Sequence, residues 1–166
     1  FRSFFLIKKK LLEKAKIASI NFHPGPPAYR GIGCINFALL NGEKKFGTTA
    51  HLIDDKIDHG KILDVKYFIF NKNDNLKKCL EKTHEKMFIQ TKKVLNYLFK
   101  NAKNLKKLVS KNRYNKWSKK LFKKKDLENL YKTRKKMNQK QLERFKRATI
   151  YKNYKPNILK FKNKVI

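Results

Sequence analysis

An α/β fold follows from three features of this 166-residue sequence. A short β-leaning run, Ile17-Ala18-Ser19-Ile20-Asn21-Phe22, stops at His23-Pro24-Gly25-Pro26-Pro27. Two longer apolar stretches, Phe46 to Ile53 and Ile62 to Phe70, read as strands on either side of a break at Asp54-Asp55-Lys56. From Leu76 to Phe99 apolar residues then recur at helical spacing.

Each element has a local cause. Phe4, Phe5, Ile7, Leu11, Leu12 and Ala15, with charged residues between them, predict an amphipathic helix at the start. Three prolines and a glycine in the five positions from His23 to Pro27 suit neither strand nor helix, so a stiff, extended loop is expected. Gly31-Ile32-Gly33 restores freedom before Cys34 to Leu40, a predicted helix stopped by Asn41-Gly42. Asn73-Asp74-Asn75 caps the long helix, whose stripe is Leu76, Leu80, Met87, Val94, Leu95, Leu98 and Phe99. After Asn101 the chain turns polar and Lys-rich. Trp117, Leu121 and Phe122, then Leu127, Leu130 and Tyr131, then Leu142 and Phe145, predict short helices packed on the domain, and Ile158 to Phe161 a terminal strand. The expected organisation is a domain over 1–100 and a small basic extension over 101–166.

Composition narrows the classes. Hydrophobic residues make up 40% and aromatics 13%, which excludes a disordered polycation. Lys and Arg number 44 against 12 Asp and Glu, a net charge of +32 that attracts RNA, DNA or anionic membranes. Lysine filling solvated positions along the whole chain accounts for the same number. Cys34 and Cys79 give neither a disulfide framework nor zinc spacing, so no metal and a reducing cytoplasm are expected. No apolar run reaches the roughly 18 residues of a membrane helix, and no membrane partner is expected. The chain starts on Phe1, inside an apolar stretch and without an initiator Met, as a fragment would.

The polar residues with chemical potential gather between positions 21 and 60. Asn21 and His23 stand two apart at a strand end, so their side chains reach the same space. An Asn amide can donate to a developing oxyanion, and a neutral His beside it can accept a proton. Asp58, in Ile57-Asp58-His59-Gly60, can orient that His or hold a water that shuttles protons. Taken singly, each has an ordinary role: Asn21 a turn cap, His23 a loop residue, Asp58 a hairpin residue. His51 is expected to be a satisfied structural His in mid-strand, His59 a surface residue, and His84 a packing or surface residue on the long helix. Gly25, Gly31 and Gly33 lack the spacing of a phosphate loop.

Taken together, the segments from Ile20 to Gly42 and from Gly47 to Leu63 resemble the catalytic half of the folate-dependent formyltransferases. Asn21-Phe22-His23-Pro24, then Tyr29-Arg30-Gly31, then Thr49-Ala50-His51 and Asp58-His59-Gly60 match that family's pattern in order and spacing. The resemblance implies the C-terminal part of a Rossmann-like formyltransferase domain, about the first three strands of its doubly wound sheet lying before Phe1, with a small, mostly helical extension. It implies a formyl group moved from N10-formyltetrahydrofolate, a co-substrate, to a primary amine, with Asn21, His23 and Asp58 as catalytic residues. Asp54, Asp55, Lys56 and Ile57 match the loop that holds the pteridine, and Ser3, Phe4 and Phe5 match an edge that touches folate. The Pro24-Gly25-Pro26-Pro27 loop and the tail, with Trp117-Ser118, are closer to the sugar branch. The expected acceptor is therefore an amino sugar on a nucleotide, and methionyl-tRNA, favoured by the charge, is the alternative. A homodimer is compatible with the family. The contrasting expectation is a basic nucleic-acid-binding piece with no chemistry.

Overall fold

The computed structural model describes residues 7–100, 105–133 and 136–151. Ser3, Phe4 and Phe5, expected at the folate, lie outside the described residues, as does the terminal strand expected at Ile158 to Phe161. The fold is α/β. A three-stranded antiparallel sheet is formed by β1 (Ile20–His23), β3 (Lys45–Leu52) and β4 (Ile62–Ile69), with β3 in the middle. A second, two-stranded sheet pairs β2 (Arg30–Gly31) in parallel with β5 (Leu121–Phe122). Around these lie α1 (Lys9–Leu12), α2 (Cys34–Asn41), α3 (Leu76–Lys100), α4 (Leu105–Lys111), α5 (Lys124–Lys132) and α6 (Gln139–Thr149).

Several expectations are met closely. Helix α2 ends at Gly42, where the Glu43 N–H closes onto the Ala38 carbonyl at 2.9 Å. Asn75 caps α3 through its side-chain oxygen, which accepts from the Lys78 N–H at 2.9 Å. Leu121 and Phe122, expected in a short helix, form strand β5 because they pair with Arg30 and Gly31, and three further expectations are corrected. Among the described residues the N-terminal helix is a single turn with no buried residue, because helical spacing without a packed face does not hold so short a helix. Strand β1 takes in His23, which the sequence assigns to the loop.

The third correction concerns α3. Leu76 and Val94 of its expected stripe are buried, but Leu95 is 39% exposed and Phe99 82%. The buried line runs instead through Cys79, Thr83 and Gln90. The two polar members place their side-chain donors on acceptors, while Gln90 Oε1 stays buried without a partner among the described residues. Thr83 Oγ1 donates to the Cys79 carbonyl at 2.7 Å, and Gln90 Nε2 to the Asp64 carboxylate at 2.9 Å and the Thr48 carbonyl at 3.2 Å.

Two apolar clusters fill the interior. One joins Phe22, Ala50, Leu63 and Val94 between the sheet and α3. The other surrounds α2 and includes Phe46, Phe70 and Cys79, together with Phe122 and Ala148 of the tail. Helix α6 lies against α2, where Asn36 Nδ2 donates to the Ala148 carbonyl at 2.7 Å. Arg147 fastens it to the start of α3 by donating to the carbonyls of Asp74 and Asn71, both at 2.6 Å.

Candidate active site

Strand register assembles the polar cluster. Asn21 stands opposite His51 across the β1–β3 ladder, and His23 opposite Thr49. Residues two apart on a strand and their cross-strand partners share a face, so Asn21, His23 and His51 meet. Phe22 and Ala50 point the other way, into the apolar cluster under α3. The Pro-rich loop then folds back over His23. Gly25 sits so close that a Cβ there would stand 2.6 Å from His23 Nε2 and 2.9 Å from the Tyr29 carbonyl oxygen.

Asp58 arrives from the turn between β3 and β4 in a left-handed conformation, φ 43°. That backbone costs an L-residue about 1–2 kcal/mol and is most readily visited by Asn and Asp. Two neighbours hold it there. The Gly31 N–H donates to Asp58 Oδ2 at 2.9 Å, and Arg30 donates to the carbonyls of Asp58 and Ile57 at 2.7 and 2.8 Å. Gly31 itself has φ +89°, and a side chain on it would collide with the Phe122 carbonyl.

Backbone carbonyls set the tautomers of both imidazoles. His23 Nε2 lies 2.7 Å from the Tyr29 carbonyl, and His51 Nδ1 lies 2.7 Å from the Leu52 carbonyl. A carbonyl only accepts, so both of these nitrogens carry hydrogen. His23 Nδ1 therefore faces Asp58 Oδ2 at 3.2 Å with its lone pair. His51 Nε2 faces the Asn21 amide nitrogen at 3.1 Å and Asp58 Oδ1 at 3.5 Å. The Asn21 amide donates to His51 and, over a longer 3.4 Å, to Asp58 Oδ1.

Between His23 Nδ1 and the Asp58 carboxylate there is room for one proton, taken up without any side chain moving. Burial pushes the Asp58 carboxyl up, but the imidazoles of His51 and His23 and the Gly31 N–H outweigh it and hold it below its ordinary 3.8. Burial also dominates at His23 and pushes its imidazole below 6.5, against the pull of Asp58 and the Tyr29 carbonyl. At neutral pH the pair is a carboxylate and a neutral imidazole, which suits a base that receives a proton briefly and gives it up.

The structure thus brings Asn21, His23 and Asp58 together, with His23 2% and Asp58 8% exposed. Asp54 stands apart: its carboxylate pairs with His59 Nδ1 at 2.7 Å and accepts from the Lys56 N–H at 3.0 Å. Burial raises its pKa, and those two partners bring it below 3.8. Asp55, Lys56 and Ile57 are exposed on the same loop. His51, expected as a satisfied structural His in mid-strand, is bonded to the Leu52 carbonyl and also stands inside the cluster beside Asn21; its register opposite Asn21 is the signal for that second position. Trp117, expected in a short helix of the tail, is outside any helix and stands at the site instead. Its ring meets His51 edge-on at 5.0 Å and His23 at 5.9 Å between centroids. Nothing local in the sequence links it to them. Among the described residues no group of three or more His, Cys, Asp or Glu is arranged to hold a metal ion, and no helix is long and apolar enough to cross a membrane.

Residues 4–95, more than half of the chain, match the formyl transferase family. The chain belongs to that family. It is 37% identical over 92 residues to the methionyl-tRNA formyltransferase of Finegoldia magna, covering 55% of this chain and 28% of that protein. It is 35% identical over 101 residues to the bifunctional polymyxin resistance protein ArnA of Wigglesworthia glossinidia brevipalpis, covering 60% of this chain and 15% of that one. Among solved structures, the N-formyltransferase of Helicobacter canadensis, in complex with folinic acid and dTDP-3-aminofucose, is similar over 91% of this chain and 54% of its own, with TM-score 0.64 and 26% identity. A 4-N formyltransferase from Francisella tularensis shares the fold, with TM-score 0.73 over 93% of this chain and 61% of its own, at 23% identity. The chain spans less than a third of the length of the Finegoldia and Wigglesworthia proteins it matches.

Proposed function

We propose that this chain carries the catalytic cluster of an N-formyltransferase, which moves a formyl group from N10-formyltetrahydrofolate to a primary amine. The observation that carries the reading is the convergence of Asn21 and His23 on the Asp58 carboxylate, each within hydrogen-bonding reach of it, in a chain of the formyl transferase family. The amine nitrogen attacks the formyl carbon, and the carbonyl oxygen becomes an oxyanion that accepts from the Asn21 amide. The His23–Asp58 pair takes the proton the amine releases. Collapse of the intermediate breaks the bond to folate N10, and the proton passes to that nitrogen, with Asp58 holding a water on the route. The Ile57 and Asp58 carbonyls are bound by Arg30, and the Asp54 carboxylate by His59 and the Lys56 N–H, so the exposed Asp55, Lys56 and Ile57 side chains, with the Asp54 backbone, are the parts of the loop open to the pteridine.

The acceptor proposed is an amino sugar carried by a nucleotide. Likeness to the Helicobacter canadensis enzyme, which was solved with dTDP-3-aminofucose, extends over 91% of this chain and so takes in the tail. Methionyl-tRNA is the second reading, favoured by the +32 charge and by the 37% identity to the Finegoldia enzyme. The test compares tetrahydrofolate release with dTDP-3-aminofucose and with methionyl-tRNA as acceptors. Turnover with the sugar alone supports the proposal, and turnover with the tRNA alone replaces the acceptor. Turnover with neither, alongside salt-sensitive RNA binding that survives His23→Ala, leaves the non-catalytic scaffold.

A further inference from the structure

The cluster is covered by a stretch of chain remote from it in sequence. Residues 115–120 run without regular structure from the end of α4 into β5 and form a strap across the site. Its root is held where Asn112 Nδ2 donates to the Leu63 carbonyl at 2.6 Å and Asn115 Nδ2 to Asn112 Oδ1 at 3.2 Å. Its middle is held from both sides. The Ser118 N–H donates to the Pro27 carbonyl at 2.9 Å, and Arg30 Nη1 donates to the Ser118 carbonyl at 3.0 Å. That guanidinium also grips the carbonyls of Ile57 and Asp58, so a single side chain ties the strap to the turn that delivers the carboxylate.

Trp117 is the one tryptophan of the chain, and it belongs to neither apolar cluster. Its indole Nε1 donates to the Gly60 carbonyl at 2.8 Å, two residues from Asp58. Its ring stands nearly perpendicular to His51, at 86°, and at 69° to His23. Ordinary core packing is thus not what places it; hydrogen bonds aim it at two imidazoles.

We propose that Trp117 is a positioning residue for the candidate active site: its indole shuts water out of the His23–Asp58–His51 cluster and keeps both imidazoles turned toward Asn21 and Asp58. The effect on turnover rests on the formyl-transfer reading, whereas the effect on the imidazoles does not. The groups that face His23 are Asp58 from the turn, His51 from β3 and Arg30 from β2. The strap contributes a neutral ring, so its removal acts by letting water in. Hydration relieves the burial that disfavours imidazolium.

The test is a histidine NMR titration of the whole chain, which has four histidines, in the parent, Trp117→Ala and Trp117→Phe. In Trp117→Ala the His23 midpoint moves up toward 6.5, and its ring-nitrogen shifts report mixed tautomers. Trp117→Phe keeps a ring but loses the bond to Gly60, and its shift is smaller. Where formyl transfer is measurable, kcat in Trp117→Ala drops by up to ~10²-fold and its acid limb moves up in step. A parent-like His23 midpoint together with parent-like ring-nitrogen shifts for His23 and His51 in both variants overturns the proposal, and Trp117→Phe alone decides it if Trp117→Ala does not fold. The titration needs no substrate, so it decides this point even for a chain that transfers no formyl group.

Discussion

Asn21 and His51 meet across one rung of an antiparallel ladder, whereas Trp117 reaches the same imidazole only after the chain has passed through β4, α3 and α4. The first contact is dictated by pleat and register: once β1 pairs with β3, those side chains have nowhere else to point. The second depends on the tail docking as a whole, through Phe122 and Ala148 in the core and Arg30 at the strap. The cluster carries the proposed chemistry, and the tail sets the conditions under which the cluster works. Perturbations of the two should therefore separate into lost turnover and lost stability.

The largest expected effect is on turnover. Asp58→Asn keeps the size of the side chain but removes the charge opposite His23 Nδ1, so the pair no longer stores a proton. Formyl transfer should fall by about 10²–10⁴-fold, while the urea midpoint should drop only by the stability the Asp58 carboxylate carries. A variant that turns over like the parent would remove Asp58 from the chemistry. Next comes Phe145→Ala in α6, a fully buried ring whose removal should cost about 3–5 kcal/mol of stability. Chemical denaturation should show one transition shifted as a unit. Two separated transitions would mean that the tail unfolds independently of the cluster.

What the sequence made legible follows the same division. The strands, helix α2 with its Asn41-Gly42 stop and the cap of α3 were readable because each is encoded within a few residues. The meeting of Asn21 with His23 was readable from strand alternation, and Asp58 from its turn. His51 sat in the same alternation, yet its role depends on register with β1, which one strand alone does not reveal. The buried line of α3 is not legible from hydrophobicity alone, because hydrogen bonding as well as apolar character decides burial there. Gln90 is buried through its bonds to Thr48 and Asp64, and Phe99 is exposed in spite of its ring. Trp117 and β5 were out of reach for a third reason: a parallel pairing of Leu121 with Arg30 leaves no mark on either segment.

A smaller effect tests the joint between cluster and tail. Gly31→Ala forces a left-handed φ on alanine and drives its Cβ into the Phe122 carbonyl, while the same residue's N–H is a donor to Asp58. The expected loss is about 1–3 kcal/mol. Because β2 joins the two parts, turnover should decline along with stability, unlike in either variant above. Loss of stability with full turnover would show that the β2–β5 pairing does not reach the carboxylate.

The smallest effect is a dependence of stability on pH, and its sign follows from the two directions of shift. Folding pushes His23 below 6.5, so between its folded value and 6.5 the unfolded chain binds a proton that the folded chain refuses. Stability then rises with pH across that window, and this group adds no slope above it. Asp58 is also lowered, below 3.8, so its contribution is complete above 3.8 and is lost as pH falls through the folded value. The two windows do not overlap at their upper ends, which allows them to be told apart. Urea midpoints measured from pH 8 downward should stay level to about 7, decline from 6.5, and steepen below 3.8. His23→Gln should remove the upper decline and leave the lower one. If the upper decline persists in that variant, the proton is taken up elsewhere, and the buried imidazole opposite Asp58 is not the group that senses acid.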